Sequence, residues 1–330
     1  MKILKLIVAA SLLLSLFGPL RSSVLPNDTG ATYNTFTFCF YSKAMPEAMP
    51  ESASIYPQEW GACYVSSIIC AKLVDAAQPK TLMDFGNVFA LYNLFWLGCL
   101  FLIIIAMVEE PILPMLGIAV GMFYNMNPTS EGYLFPWDTP SMFFFTLVFL
   151  FYQRKMFVAT LATIFFGSFI REPIFVCALL PAMAAPWRHR FLISSAVVLA
   201  ALGINHLITP FHAMPHVWYN LLIIREAIKS NAKILFSWAA PCSPVPERVN
   251  LFHLFFANGG GLAIGAWAAA KLKDWPTTWV LISFAAFEFT IIAAYETRTW
   301  LDLLPIAWIL FSQLLNRKQV TRPRRSPSPA

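Results

Sequence analysis

Four places in the sequence set ionisable side chains among apolar ones. Asp138, in EGYLFPWDTPSMFFF, stands before Thr139 and Pro140 at the head of an apolar run. Arg171 and Glu172 sit side by side in GSFIREPIF, between MFVATLATIFF and VCALLPAMAA. In AFEFTIIAAYETRTWLDLLP, Glu288 lies inside an apolar run, and Glu296, Arg298 and Asp302 cluster after it. A carboxylate can take up a proton or hold a cation, and a guanidinium can hold an anion. Each place also has a plainer explanation. An Asp at a helix start caps the N-terminus and complements the helix dipole. Adjacent Arg and Glu can stabilise a tight turn, with Pro173 opening the next helix where its missing N–H costs nothing. The Glu296–Asp302 group can be a structural network joining helix ends. Charges at membrane depth are costly unless they pair or line a wet cavity, so an ionisable group such as Glu288 is a functional candidate by default.

Other chemistries find no pattern. His206, His212, His216 and His253 show neither HExxH nor close metal spacing, so no zinc site is expected. GxSxG, the phosphate-binding P-loop and the dinucleotide fingerprint do not occur, which excludes an ATP-driven pump in one chain. Asn258 and the three glycines to Gly261 suggest a weak point in a helix or a close helix contact.

The elements that must position these residues are helices in lipid. The chain is 58% hydrophobic and 12% charged, with mean hydropathy +0.63, whereas soluble domains carry about 25% charged residues. Apolar runs occupy roughly 85–108, 112–123, 139–152, 156–170, 174–186, 191–208, 251–270, 276–295 and 299–315. The expected fold is therefore all-α: a polytopic transmembrane bundle of about 10 helices, within a range of 8 to 12. Several runs are shorter than a full span, and 112–123 and 174–186 read as short, tilted or broken helices. Residues 1–20 form a signal anchor or signal peptide, with the uncleaved anchor favoured. Residues 21–84 form an extracytoplasmic segment, 85–316 the bundle with an outer loop at 209–250, and 317–330 a disordered basic tail.

Placing the N-terminus in the cytoplasm and alternating sides puts Arg154–Lys155, Arg188–Arg190, Lys271–Lys273 and the tail inside, together with more than half of the 23 basic residues. Both termini are then cytoplasmic. Of the acidic residues only Glu109, Glu110 and Asp274 fall on that side, so polar chemistry is expected at the extracytoplasmic face. The net charge of +6 reflects pairs at the ends of apolar runs. The tail faces anionic lipid headgroups, and nucleic acid is not an expected partner.

In the first outer segment, residues 62–76 place Val65, Ile68, Ile69 and Leu73 together at helical spacing, for a helix on the outer leaflet or packed on the bundle. Residues 216–238, with Trp at both ends, read the same way. Cys99 and Cys177 lie in apolar runs as packing residues. Cys39, Cys63, Cys70 and Cys242 fall outside, where an oxidising compartment permits disulfides in three full pairings. Asn27-Asp28-Thr29 matches the glycosylation triplet, which has meaning only in a eukaryotic secretory setting.

PWDTPSMFFFTLVFLFYQRK, then a helix ending in FIREPIF, then YETRTWLDLLP before a last helix, together resemble a group of poorly characterised bacterial polytopic membrane proteins. That group looks like the GT-C class of membrane glycosyltransferases, which use polyprenyl-phosphate sugars at the outer face. The resemblance covers roughly residues 85–315. Asp138, Arg171, Glu172, Glu296 and Arg298 match its pattern. GT-C enzymes usually carry an acid in the first outer loop, often as a pair; here Glu47, Glu51, Glu59, Asp75 and Asp84 are scattered. The resemblance implies a catalytic set of Asp138, Glu172 and Asp84, the base being Asp138 or an acid of that loop. Arg171 and Arg298 would bind the substrate phosphate. Glu296, Glu288 and Asp302 would support them, with Glu172 and Glu296 orienting the arginines or a divalent cation. The donor brings its own phosphate leaving group, so no nucleotide fold is needed. The competing expectations are a transporter or flippase of a lipid-linked or polar solute, with Glu288, His253 and the Asn258–Gly261 break lining its path, and a non-catalytic assembly subunit. A transporter would continue its polar residues to the inner side, where the sequence offers few.

Overall fold

A computed structural model describes residues 2–23, 64–126, 138–183, 187–208, 225, 260–291 and 301–320. Among these the chain is helical, without strands. The α-helices are α1 (Lys2–Ser22), α2 (Tyr64–Ala77), α3 (Leu82–Met107), α4 (Ile112–Asn125), α5 (Asp138–Gln153), α6 (Phe157–Ser168), α7 (Leu179–Met183), α8 (Trp187–Ile208), α9 (Gly260–Leu272), α10 (Trp275–Ile291) and α11 (Leu304–Val320). A 3-10 helix, Glu172–Ala178, runs directly into α7. The described part of the 174–186 run is thus a broken helix, one of the forms its short length suggested. α11 continues as helix to Val320, so the helix carries past Arg317, where the tail was expected to begin.

Local chemistry sets the ends. Thr81 caps α3: its hydroxyl accepts the Asp84 N–H at 3.1 Å, while the Asp84 carboxylate accepts the Thr81 N–H at 3.1 Å. This reciprocal pair satisfies two N–H groups that a helix start leaves open. α5 ends in a left-handed cap, with the Met156 N–H on the Phe151 carbonyl, the Lys155 N–H on that of Tyr152, and Lys155 at φ 58°. α9 ends the same way, through Asp274 to Ala269 and Lys273 to Ala270, with Lys273 at φ 62°. Each turn sends the chain straight into an antiparallel neighbour.

Among the described residues two helices, Ile3–Ser22 and Met83–Met107, are long and apolar enough to cross a membrane. Phe89, Phe101, Phe145, Phe149 and Phe284 are fully buried, and Phe145 of α5 meets Phe284 of α10 edge-on at 5.7 Å. Large apolar side chains also cover the outside, including Phe95, Leu102, Val158, Phe166, Leu192 and Leu199. α9 lies closely along α11: a Cβ on Gly265 would come within 2.6 Å of the Ala307 backbone. Only glycine allows that approach. Within the 258–261 stretch, Gly261 also lies close to α11: a Cβ there would come within 2.6 Å of the Leu304 side chain.

α2 packs on α3. Its buried face is Ser66, Cys70 and Val74, while Ile69 and Leu73 of the expected apolar stripe point outwards. Cys70 is a buried free thiol, which removes it from the proposed disulfides. Cys39, Cys63 and Cys242 lie outside the described residues, as do Asn27 and the 216–238 segment apart from Arg225.

Candidate functional site

Three separate segments bring charge to one buried point. Asp138 opens α5, Arg171 is the extended residue between α6 and the 3-10 helix, and Asp302 lies in the turn just before α11. Nη1 of Arg171 is 3.0 Å from Oδ1 of Asp302 and 3.3 Å from Oδ1 of Asp138. Both aspartates have no exposed surface, and Arg171 is 6% exposed.

The local sequence explains the placement. α6 ends in a turn where the Ile170 and Arg171 N–H groups both donate to the Gly167 carbonyl. Arg171 then takes φ −160°, ψ 125°, and Pro173 follows in the first turn of the 3-10 helix. This break turns the guanidinium in among neighbouring helices. Each aspartate lies at a helix N-terminus, where the dipole favours negative charge. Burying an ion costs several kcal/mol even after relaxation, so the three groups persist only by compensating one another.

The layer next to the triad is also polar. Thr139 Oγ1 donates to Asn93 Oδ1 at 2.7 Å, and Asn93 Nδ2 donates to the Phe89 carbonyl at 2.9 Å. Both side chains are fully buried. These bonds tie the head of α5 to the interior of α3. Asn93 lies about 16 Å from the start of α3 and about 21 Å from its end, at 1.5 Å per residue. The charged cluster is therefore set inward from the end at which α3 starts, deeper than the helix-end boundary expected for Arg171 and Asp138.

Of the residues singled out from sequence, the structure unites Asp138, Arg171 and Asp302. Arg171 pairs across the fold, so its role is not confined to a local turn. Asp302, expected in a supporting place, is its nearer carboxylate of the two. Glu172 begins the 3-10 helix and Glu288 lies on α10, but their side chains fall outside the described residues. Glu296 and Arg298 fall outside altogether. Asp84 is not brought to the triad: it is exposed, engaged in the α3 cap, and about 13 Å along the helix from Asn93. Among the described residues no group of three or more His, Cys, Asp or Glu side chains is placed to hold a metal ion. Asn93 was missed; an amide inside the apolar run LYNLFWL meets the same membrane-depth criterion that singled out Glu288.

The opposite end of the bundle is polar and more open. Lys5 Nζ donates to the Glu109 carbonyl at 2.7 Å, and Ser312 to that of Glu110 at 3.1 Å. Gln153 and Gln313 exchange amide hydrogen bonds at 3.1 and 3.2 Å. A cavity of about 770 Å³ opens here, with Lys155 and Arg190 in its wall.

Among the described residues, fold and site together define an all-α bundle with a buried carboxylate–guanidinium–carboxylate cluster and two helices long and apolar enough to cross a membrane. Compared with known proteins, the chain matches no family model, no curated protein and no solved structure.

Proposed function

We propose that the chain is a multi-pass membrane protein that transfers a sugar from a polyprenyl-phosphate donor at the extracytoplasmic face, with its working site at Asp138, Arg171 and Asp302. The observation that carries this reading is the convergence of an aspartate and an arginine from separate segments, both drawn from the motifs that resemble GT-C enzymes. Exposed apolar side chains around the bundle support membrane residence. The end holding Lys5, Lys155 and Lys273 is the cytoplasmic one by the positive-inside rule.

In this scheme Asp138 takes the acceptor proton and Arg171 steadies the phosphate of the departing lipid. Arg171 then exchanges one carboxylate partner for the phosphate, and Asp302 keeps it aimed during that exchange. Arg298 would bind the phosphate alongside Arg171, and Glu172 and Glu296 would orient the arginines or a divalent cation. The test is transfer from radiolabelled polyprenyl-phosphate sugar by the full chain in lipid vesicles. Asp138→Asn should lower transfer by about 100-fold or more while leaving the protein folded. Full transfer by that variant removes Asp138 as the base.

A second reading, transport or flipping of a lipid-linked or polar solute, is favoured by one observation: a polar cavity at the end opposite the buried charges. Uptake of a solute or movement of a labelled lipid in the same vesicles, without sugar transfer, would select it.

A further inference from the structure

The cavity at the opposite end takes no part in the proposed sugar transfer. It lies where α5, α6, α7, α8, α11 and the turn between α9 and α10 meet, and its wall includes Lys155, Arg190, Gln153, Gln313, Tyr152 and Asp274. Its volume of about 770 Å³ is in the range of small-molecule sites. We infer that it binds a phosphate-bearing group, with the headgroup of an anionic phospholipid as the natural source.

Lys155 gives the first reason. It holds the left-handed position of the cap that ends α5, at φ 58°. That position ordinarily goes to glycine, because a Cβ there is disfavoured. A lysine at such a place puts a cation at the cavity wall at the expense of backbone ease, a pattern common at functional sites. Arg190 gives the second. Its guanidinium carbon stands 4.9 Å from the centre of the Phe157 ring. A cation over a ring is attracted to its face, while the N–H edge of the guanidinium stays available to an anion.

Asp274 is the one carboxylate in the wall, and it is committed elsewhere. It accepts the Thr277 N–H at 3.2 Å and the Thr277 hydroxyl at 2.7 Å, and the Tyr152 hydroxyl lies 3.5 Å away. Its charge thus serves the N-terminus of α10. The paired amides of Gln153 and Gln313 can reopen to donate to phosphate oxygens. Trp275 and Trp279, both about half exposed at the start of α10, place this end at the depth where lipid headgroups lie. That placement favours a lipid over free phosphate. It rests on the membrane part of the proposed function and on neither catalysis nor transport.

Native mass spectrometry of the full chain in neutral detergent, titrated with dihexanoylphosphatidylglycerol, tests this. Specific retention of the probe is expected, with no retention of dihexanoylglycerol, which lacks phosphate. The double variant Lys155→Gln/Arg190→Gln should bind roughly tenfold more weakly. Lys155→Gly separates charge from backbone: affinity should fall while the melting temperature holds or rises. A lysine of purely structural use would leave affinity unchanged, and that result overturns the proposal. Inorganic phosphate binding as tightly as the lipid, with the same dependence on both cations, keeps the phosphate class and makes free phosphate the source. Equal binding of dihexanoylglycerol, or no loss in the double variant, also overturns it. Asp138→Asn should abolish sugar transfer yet leave lipid retention intact, so each reading can fail alone. Release of the chain from membranes by alkaline extraction would instead sink the shared membrane premise.

Discussion

At one end of the bundle, Arg171 is buried between two aspartates that come from distant parts of the chain. At the other, Lys155 and Lys273 stand exposed in two similar turns, each fixed by hydrogen bonds within its own few residues. The first arrangement depends on every helix that contributes to it. The second depends on a local cap and leaves its charge in contact with solvent or headgroups. A charge lacking water must be matched by the fold, whereas a hydrated one need only be tolerated by the backbone.

The contrast breaks most sharply at Arg171. Arg171→Met leaves two carboxylates buried together and should cost about 3–5 kcal/mol in denaturant unfolding in detergent micelles. Adding Asp138→Asn and Asp302→Asn should recover a large part of that loss. If the triple variant is no better than Arg171→Met, charge matching is not what holds this end. Gly265→Leu forces α9 away from α11 and should cost about 1–3 kcal/mol. A thermal melt unchanged by this substitution would contradict the close approach at Ala307.

Smaller effects refine the comparison. Thr139→Val leaves the Asn93 carbonyl without its donor at the buried end, and should cost about 1–2 kcal/mol by the same unfolding assay. At the exposed end the sign reverses: Lys273→Gly should raise stability by about 0.5–1 kcal/mol, because its φ of 62° suits glycine better. Smallest at neutral pH is the contribution of Cys70 on α2. Burial pushes this thiol up to about 12 from the ordinary value of 9.0. Below the ordinary value its contribution is constant. Above it the unfolded thiol ionises while the folded one does not, so stability falls as pH climbs towards 12. Cys70→Ala should flatten that part of the pH–stability curve. The wild-type thiol should also resist maleimide at pH 8 until the protein unfolds.

Much of the bundle was legible from the chain. Apolar runs gave most of the helices because a long stretch without charge has few other stable conformations. Asp138 marked the head of α5, and Arg171 with Pro173 marked a break, since dipole complementarity and the missing proline N–H act within a turn. Lys5 and Glu109, which the charge alternation had put on one side, meet at one end of the bundle. The outward face of α2 was not, because Ser66 and Cys70 are small enough to pack where the larger Ile69 and Leu73 do not. Nor was the cavity at Lys155 and Arg190, whose walls come from helices far apart in sequence.

The sequence by itself determined an apolar, helical chain and the few positions at which ionisable groups interrupt it, because hydrophobic run length, caps and prolines act locally. Only the tertiary structure decided that Arg171 takes Asp302 and Asp138 as partners while Asp84 remains a helix cap. That choice depends on which helix ends meet at the same depth, and depth is set by packing such as that of Gly265 against Ala307 and Asn93 against Thr139.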